Sequence, residues 1–186
     1  MLSLITQASI FCFAASDDQM TSVTSQTRLV TPAPPLHPDV GVLAFLLGEW
    51  RGEGRGGYPT IEDFDYRDEV TFGHVGKPFV SYAQHTWLAD GLPSHTEVGY
   101  LRPQPGGRLE LVVAQPGGRV EVDEGVVDRG HVELTSTVVA GTPSAKEVTE
   151  VRRVLDVEGD VMRYELEMAA VGQPRRFHLE AELRRR

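Results

Sequence analysis

The side chains of this sequence best suited to chemistry are its six histidines, because a neutral imidazole can carry a proton or ligate a metal near pH 7. His37 stands before Pro38 and Asp39 and reads as a surface residue or a helix cap. His131 follows Gly130 at the start of a strand and reads as exposed. His74 shares a face with Val70 and Phe72, and His85 with Phe79, Ala83 and Trp87, so both read as core histidines satisfied by a partner. His95 is placed by the hairpin around Pro103 to Gly107. Pairing Leu101 with Leu109 and Gly99 with Leu111 sets Glu97 against Val113 and His95 against Gln115. All share one face, so if Leu109, Leu111 and Val113 point inward, His95 and Gln115 form a polar pair where a pocket would open. For His178, a two-residue Gly172-Gln173 turn pairs Met168 with Phe177, Leu166 with Leu179, Tyr164 with Ala181 and Met162 with Leu183. That register sets His178 beside Arg176, Glu180 and Glu182 on the solvent-like face.

Other reactive arrangements are weaker. There is no Gly-x-Ser-x-Gly elbow, and Ser81 with His85 lacks a defined acid, so nucleophilic hydrolysis has no support. Cys12 is the only cysteine, which excludes an intrachain disulfide and a thiolate metal site and suits a reducing, cytoplasmic compartment. His74, His85 and His95, on three consecutive strands, are the one candidate zinc set, without the close spacing that zinc motifs show.

The elements that would position these residues are mostly strands. His37-Pro38-Asp39 is a helix start before Val40, Val42, Leu43, Phe45, Leu46 and Leu47, and Gly48 is a stop, giving one short helix. Beyond it, Gly, Pro and Asp cluster at nine turns: around Gly56 to Pro59, Gly76 to Pro78, Asp90-Gly91, Pro103 to Gly107, Pro116 to Gly118, Asp128 to Gly130, Gly141 to Pro143, Glu158 to Asp160 and Val171 to Pro174. The ten segments between them alternate as strands do, for example Leu109, Leu111 and Val113 against Glu110, Val112 and Ala114. A meander of such strands closes most economically into an antiparallel up-and-down barrel, which removes exposed edges and leaves a cavity at one mouth. Aromatic girdles, an apolar outer band and an export signal are not evident, which argues against an outer-membrane barrel.

The chain has 186 residues, 18 basic and 27 acidic, a net charge of −9 and 40% apolar residues, enough for one domain with a core. The acidic balance argues against nucleic-acid binding, and the short clusters Arg152-Arg153 and Arg184 to Arg186 read as solvated surface. The longest apolar run, Ile10 to Ala15, is too short to span a membrane. Residues 1–35 are rich in Ser, Thr, Gln and Pro, carry no Lys or Arg before Arg28, and read as a disordered leader ahead of a domain at 36–186. A secretory reading of the leader lacks the positive n-region, and Met20 is an alternative start to Met1.

Several segments, in order from Leu36 to Arg186, carry a resemblance. Gly48-Glu49-Trp50-Arg51-Gly52-Glu53-Gly54 with Tyr58-Pro59-Thr60 resembles the GxWxGxG signature and YPT segment of the nitrobindin family. Phe72 to Phe79, His95 to Arg102, Ala114-Gln115-Pro116 with Val120 to Val122, Ser144 to Val148, Met168 to Ala170 and His178 to Leu183 are similar to it as well. The resemblance implies an all-β, ten-stranded barrel like those of fatty-acid-binding proteins and lipocalins. It implies one b-type haem at a barrel mouth, kept mostly ferric, that binds nitric oxide and isomerises peroxynitrite to nitrate. By position His178 would be the proximal iron ligand and the catalytic residue, Thr60 and Lys146 would contact the haem, and His95, Gln115 and Met168 would line the pocket. The family is related to the C-terminal domain of a vertebrate THAP-domain protein, whose zinc finger is absent here, so no DNA binding carries over, and a homodimer stays open. A carrier of an apolar ligand such as a fatty acid, or a nitric-oxide sensor without turnover, would use the same cavity; a Soret band discriminates the first and peroxynitrite decay the second. Because a haem ligand cannot point to solvent, the resemblance requires a loop or bulge between Ala169 and Phe177 that turns His178 inward.

Overall fold

A computed structural model describes residues 34–186. The expected leader at 1–35, with Cys12 and both candidate starts, falls outside the described residues except for Pro34 and Pro35, which lie against Gly76. A 3₁₀ helix, Pro38–Leu46, is followed by ten strands: β1 (Gly48–Tyr58), β2 (Ile61–Gly73), β3 (Val80–Leu88), β4 (Pro93–Gln104), β5 (Arg108–Gln115), β6 (Arg119–Asp128), β7 (His131–Gly141), β8 (Val148–Glu158), β9 (Val161–Ala170) and β10 (Gln173–Arg185). Each strand pairs antiparallel with the next and β10 returns to β1, closing the barrel. No helix among the described residues is long and apolar enough to cross a membrane.

The helix is 3₁₀ because its apolar residues repeat every three: Val40, Leu43 and Leu46 fall in one line and are fully buried. His37 is its N-cap, its Nδ1 accepting the Asp39 N–H at 3.3 Å. At the other end Trp50 Nε1 donates to the Leu46 carbonyl at 2.7 Å, and the Arg185 guanidinium donates to the carbonyls of Phe45 and Leu47 while lying 4.1 Å from the centre of the Trp50 ring. Arg185 is thus a cap, and the solvated reading of 184–186 fails at that residue. The helix, Trp50, Leu109, Leu134, Met162 and Leu183 fill one end of the barrel. Closure there depends on Gly52, where a Cβ would stand 2.0 Å from the Glu182 carbonyl oxygen of β10.

Two turns are tighter than expected. Gly56 and Gly57 belong to β1, which bulges between Gly56 and Tyr58, and the turn shrinks to Pro59-Thr60. Likewise β4 runs through Pro103 and Gln104, leaving Pro105–Gly107 as the turn. The β4–β5 register is therefore two residues away from the expected one: Leu101 faces Leu111 and Gly99 faces Val113. An even slip keeps every side chain on its face. It brings Glu97, in place of His95, to the level of Gln115.

Candidate functional site in the open barrel mouth

The end opposite the helix is open. A cavity of about 850 Å³ is lined by residues from five connections or strand ends on that side, and Thr60, His95, Gln115, Lys146, Met168 and His178 are all on its wall. Thr60 comes from the β1–β2 turn, His95 from the start of β4, Gln115 from the end of β5, Met168 from β9 and His178 from β10. Lys146 lies in the loop between β7 and β8. Pairing of those two strands stops at Thr135 opposite Arg152, so the wall parts there towards the mouth and the loop spans the gap.

The orientation of His178 is the decisive local feature. The β9–β10 turn is Val171-Gly172, one residue earlier than expected, with both residues at positive φ (46° and 75°). Two bulges then restore the register: one between Gln173 and Arg176, within the stretch where a shift was expected, and one between Phe177 and Leu179, at His178 itself. Leu179, Ala181 and Leu183 still face Leu166, Tyr164 and Met162 as simple pairing gives. His178 has no partner on β9; as the extra residue of a bulge it is re-aimed, so both it and Leu179 line the cavity. The solvent-facing placement that simple pairing implies is thereby corrected.

The imidazole is held from two sides. Its Nδ1 lies 3.2 Å from the Gly57 carbonyl oxygen, and its ring meets Tyr58 edge to face, centroids 5.6 Å apart. A carbonyl only accepts, so Nδ1 carries the hydrogen and Nε2 keeps its lone pair. Burial lowers the pKa of His178, opposed by the Gly57 bond, and the neighbouring charges of Arg119 and His95 lower it further. Tyr58 is a site residue that sequence reasoning missed: its hydroxyl accepts the Ala170 N–H at 3.0 Å and donates to the Met168 carbonyl at 3.2 Å, tying β1 to the end of β9 that faces the bulges of β10.

The other histidines separate from the site. His85 is exposed, bonded to Thr96 Oγ1 at 3.0 Å, so it is not a core residue. His74 is half-buried in the loop after β2 with Nδ1 unpartnered, and His131 meets Asp156 at the surface. Among the described residues no three His, Cys, Asp or Glu side chains converge to hold a metal ion, so the zinc set does not assemble.

Below the mouth the lumen is polar, which sequence reasoning also missed. Arg153, read as solvated, is buried and contacts Glu97 at 2.9 Å, Glu121 at 2.5 Å and Asp123 at 3.3 Å. Beside it Asp68 accepts from Tyr164 at 2.6 Å and from Gln84 at 2.7 Å. Burial pushes Asp68 up to about 6 despite those bonds, and pushes Asp123 up to about 6 despite Arg153. One carboxylate oxygen of each is buried without a partner. Glu97 goes the other way: burial raises it, but Arg153 with hydrogen bonds from His95 and Tyr82 wins and holds it at about 2. The available signal was alternation, since Arg153 falls in step with Val151 and Leu155, and Glu121 and Asp123 with Val127.

A cavity of this size walled in part by Phe64, Met168 and Leu179, with the His178 imidazole keeping a free nitrogen and its tautomer fixed by Gly57, would fit a flat, largely apolar prosthetic group held through that nitrogen. The model of the family described as "THAP4-like, heme-binding beta-barrel domain" matches residues 39–185. The chain belongs to this nitrobindin family. Nitrobindin relatives include peroxynitrite isomerase 1 of Mycolicibacterium paratuberculosis, 54% identical over 156 residues that cover 81% of this chain and 96% of the relative. The peroxynitrite isomerase of Nocardia farcinica is 48% identical, covering 83% of this chain and 95% of its own. The crystal structure of Rv2717c from M. tuberculosis superposes with a TM-score of 0.77 at 45% identity, covering 82% of this chain and 99% of that one.

Proposed function

We propose that this nitrobindin holds one b-type haem in the open mouth, with His178 as the protein ligand of the iron, and isomerises peroxynitrite to nitrate there, binding nitric oxide at the same place. The observation that carries the reading is the inward imidazole of His178, bulged out of the β9–β10 ladder and backed by the Gly57 carbonyl. Family membership and the isomerase names of its relatives support it. When bound, ferric haem supplies an open coordination position that acts as a Lewis acid towards the oxidant.

This chain's own residues do the rest. The Gly57 carbonyl and the Tyr58 ring orient His178; Thr60 and Lys146, both exposed at the rim, would contact the group, and His95, Gln115 and Met168 would line its pocket. Phe64, Met168 and Leu179 supply apolar wall against which the group would pack. Lys146 supplies positive charge at the mouth of a chain whose net charge is −9, where an anion would otherwise be repelled, while Arg119 there is paired with Glu121 at 2.9 Å. Atoms balance without a co-reactant, since peroxynitrite and nitrate are isomers. A fatty-acid carrier fits less well, because an apolar chain entering the lumen would lie against Glu97, Glu121 and Arg153.

The test is stopped-flow decay of peroxynitrite with haem-loaded protein. Faster decay with nitrate replacing nitrite as the product is expected. Decay no faster than with the haem-free chain would overturn the isomerase reading and leave a nitric-oxide carrier.

A further inference from the structure

Two of the polar residues on the cavity wall, His95 and Gln115, converge on one atom. Glu97 is 2% exposed, and its Oε2 accepts from Gln115 Nε2 at 3.0 Å and lies 3.3 Å from His95 Nε2. Its other oxygen cannot rotate away, because Oε1 accepts from Tyr82 Oη at 2.7 Å and Arg153 Nη1 at 2.9 Å, from strands on either side of the lumen. Gln115 Nε2 also donates to Glu121 Oε1 at 2.9 Å, so both of its amide hydrogens are committed away from the cavity.

We propose that Glu97 is a positioning residue that makes the His95–Gln115 wall a hydrogen-bond acceptor, suited to a ligand that brings its own hydrogen: water, or an oxidant in its acid form. This deepens the haem-site reading and rests on it for the identity of the ligand. An ionised carboxylate accepts only, so the hydrogen between it and His95 sits on Nε2, and in the neutral ring Nδ1 is left as an acceptor. With its amide nitrogen spent on Glu97 and Glu121, Gln115 offers the cavity its carbonyl oxygen. Glu97 alone thereby sets the polarity of His95, and with Glu121 it sets that of Gln115.

The test is long-range ¹H–¹⁵N correlation NMR of the histidine-labelled full chain without haem, in alkaline buffer where an ordinary imidazole is neutral, with the His95 signals assigned by their loss in His95→Ala. Wild type is expected to show His95 as the Nε2–H tautomer. In Glu97→Gln the new amide keeps its carbonyl on Tyr82 and Arg153 and turns its NH₂ towards Nε2, so the tautomer shifts to Nδ1–H. Glu121→Gln neutralises an equally buried carboxylate on the same Arg153 without touching His95, and is expected to leave the tautomer as in wild type. An Nδ1–H tautomer in wild type, no change in Glu97→Gln, or an equal change in Glu121→Gln overturns the proposal. If Glu97→Gln does not fold, the wild-type Nε2–H proton decides: a downfield signal slowed in solvent exchange by the carboxylate supports the proposal, and one that exchanges like an ordinary imidazole's overturns it. A wild-type chain with the expected tautomer but no Soret band on adding haem would overturn the haem reading and leave the role of Glu97 standing.

Discussion

The two ends of this barrel are built from the same ten strands and are opposite in character. At the helix end the inward residues are apolar and interlocked: Trp50, Leu43, Leu46, Leu109, Leu134, Met162 and Leu183 are all buried, and the polar groups present there, such as the indole N–H and the last helix carbonyls, are paired locally. At the mouth end the same alternation turns Asp68, Glu97, Glu121, Asp123 and Arg153 inward, followed by His95, Gln115 and His178. A packed apolar end fixes the geometry of the barrel, so the other end can carry buried charge, a cavity and two consecutive bulges without unfolding. Stability and chemistry are separated along the barrel axis.

The largest expected effects come from removing the keystone of each end. Arg153→Met leaves Glu97 and Asp123 buried without their cation and Glu121 with Arg119 alone, and urea unfolding at neutral pH should show a loss of about 3–5 kcal/mol. Trp50→Ala should cost roughly 3–5 kcal/mol as a large-to-small change in a packed core. The two losses should separate on acidification. That of Arg153→Met shrinks as the carboxylates take up protons, whereas that of Trp50→Ala stays constant; parallel pH profiles would break the distinction between the ends.

A smaller effect lies in the wild-type pH profile. Asp68 and Asp123 titrate near 6 in the folded chain and near 3.8 when exposed, so the folded state binds the extra protons in between. Stability therefore falls as pH rises from about 4 to 6 and stays lower above that. Glu97, held at about 2 against an ordinary 4.5, contributes stability that is full above 4.5 and lost as pH falls towards 2. Melting temperature should peak near pH 4 and fall on both sides. Asp68→Asn should flatten the decline towards neutrality by about 1–3 kcal/mol, given that a shift of one pH unit corresponds to about 1.4 kcal/mol. Smallest of all, Lys146→Ala, at an exposed loop position, should change stability by less than about 0.5 kcal/mol while weakening haem binding.

Much of the frame was legible because Gly, Pro and Asp punctuate the chain at nearly every turn, and strand parity survives an error of two in register, as between β4 and β5. The helix was legible by its start signal, and its 3₁₀ form follows from the three-residue spacing of Val40, Leu43 and Leu46. Two things were not. Buried charges look like surface charges in a sequence until their partners are known: Arg153 draws its carboxylates from β4 and β6, distant in the chain. Bulges leave no compositional mark either, so local pairing turned His178 outward and only the family pattern required otherwise.

If the mouth end holds haem through His178, haem titration followed by absorption spectroscopy will show it. Wild type should develop a Soret band that saturates at one haem per chain. His178→Ala should keep the barrel's circular dichroism and melting transition yet lose most of the affinity. A His178→Ala chain that binds haem as tightly as wild type and with the same spectrum would contradict the claim.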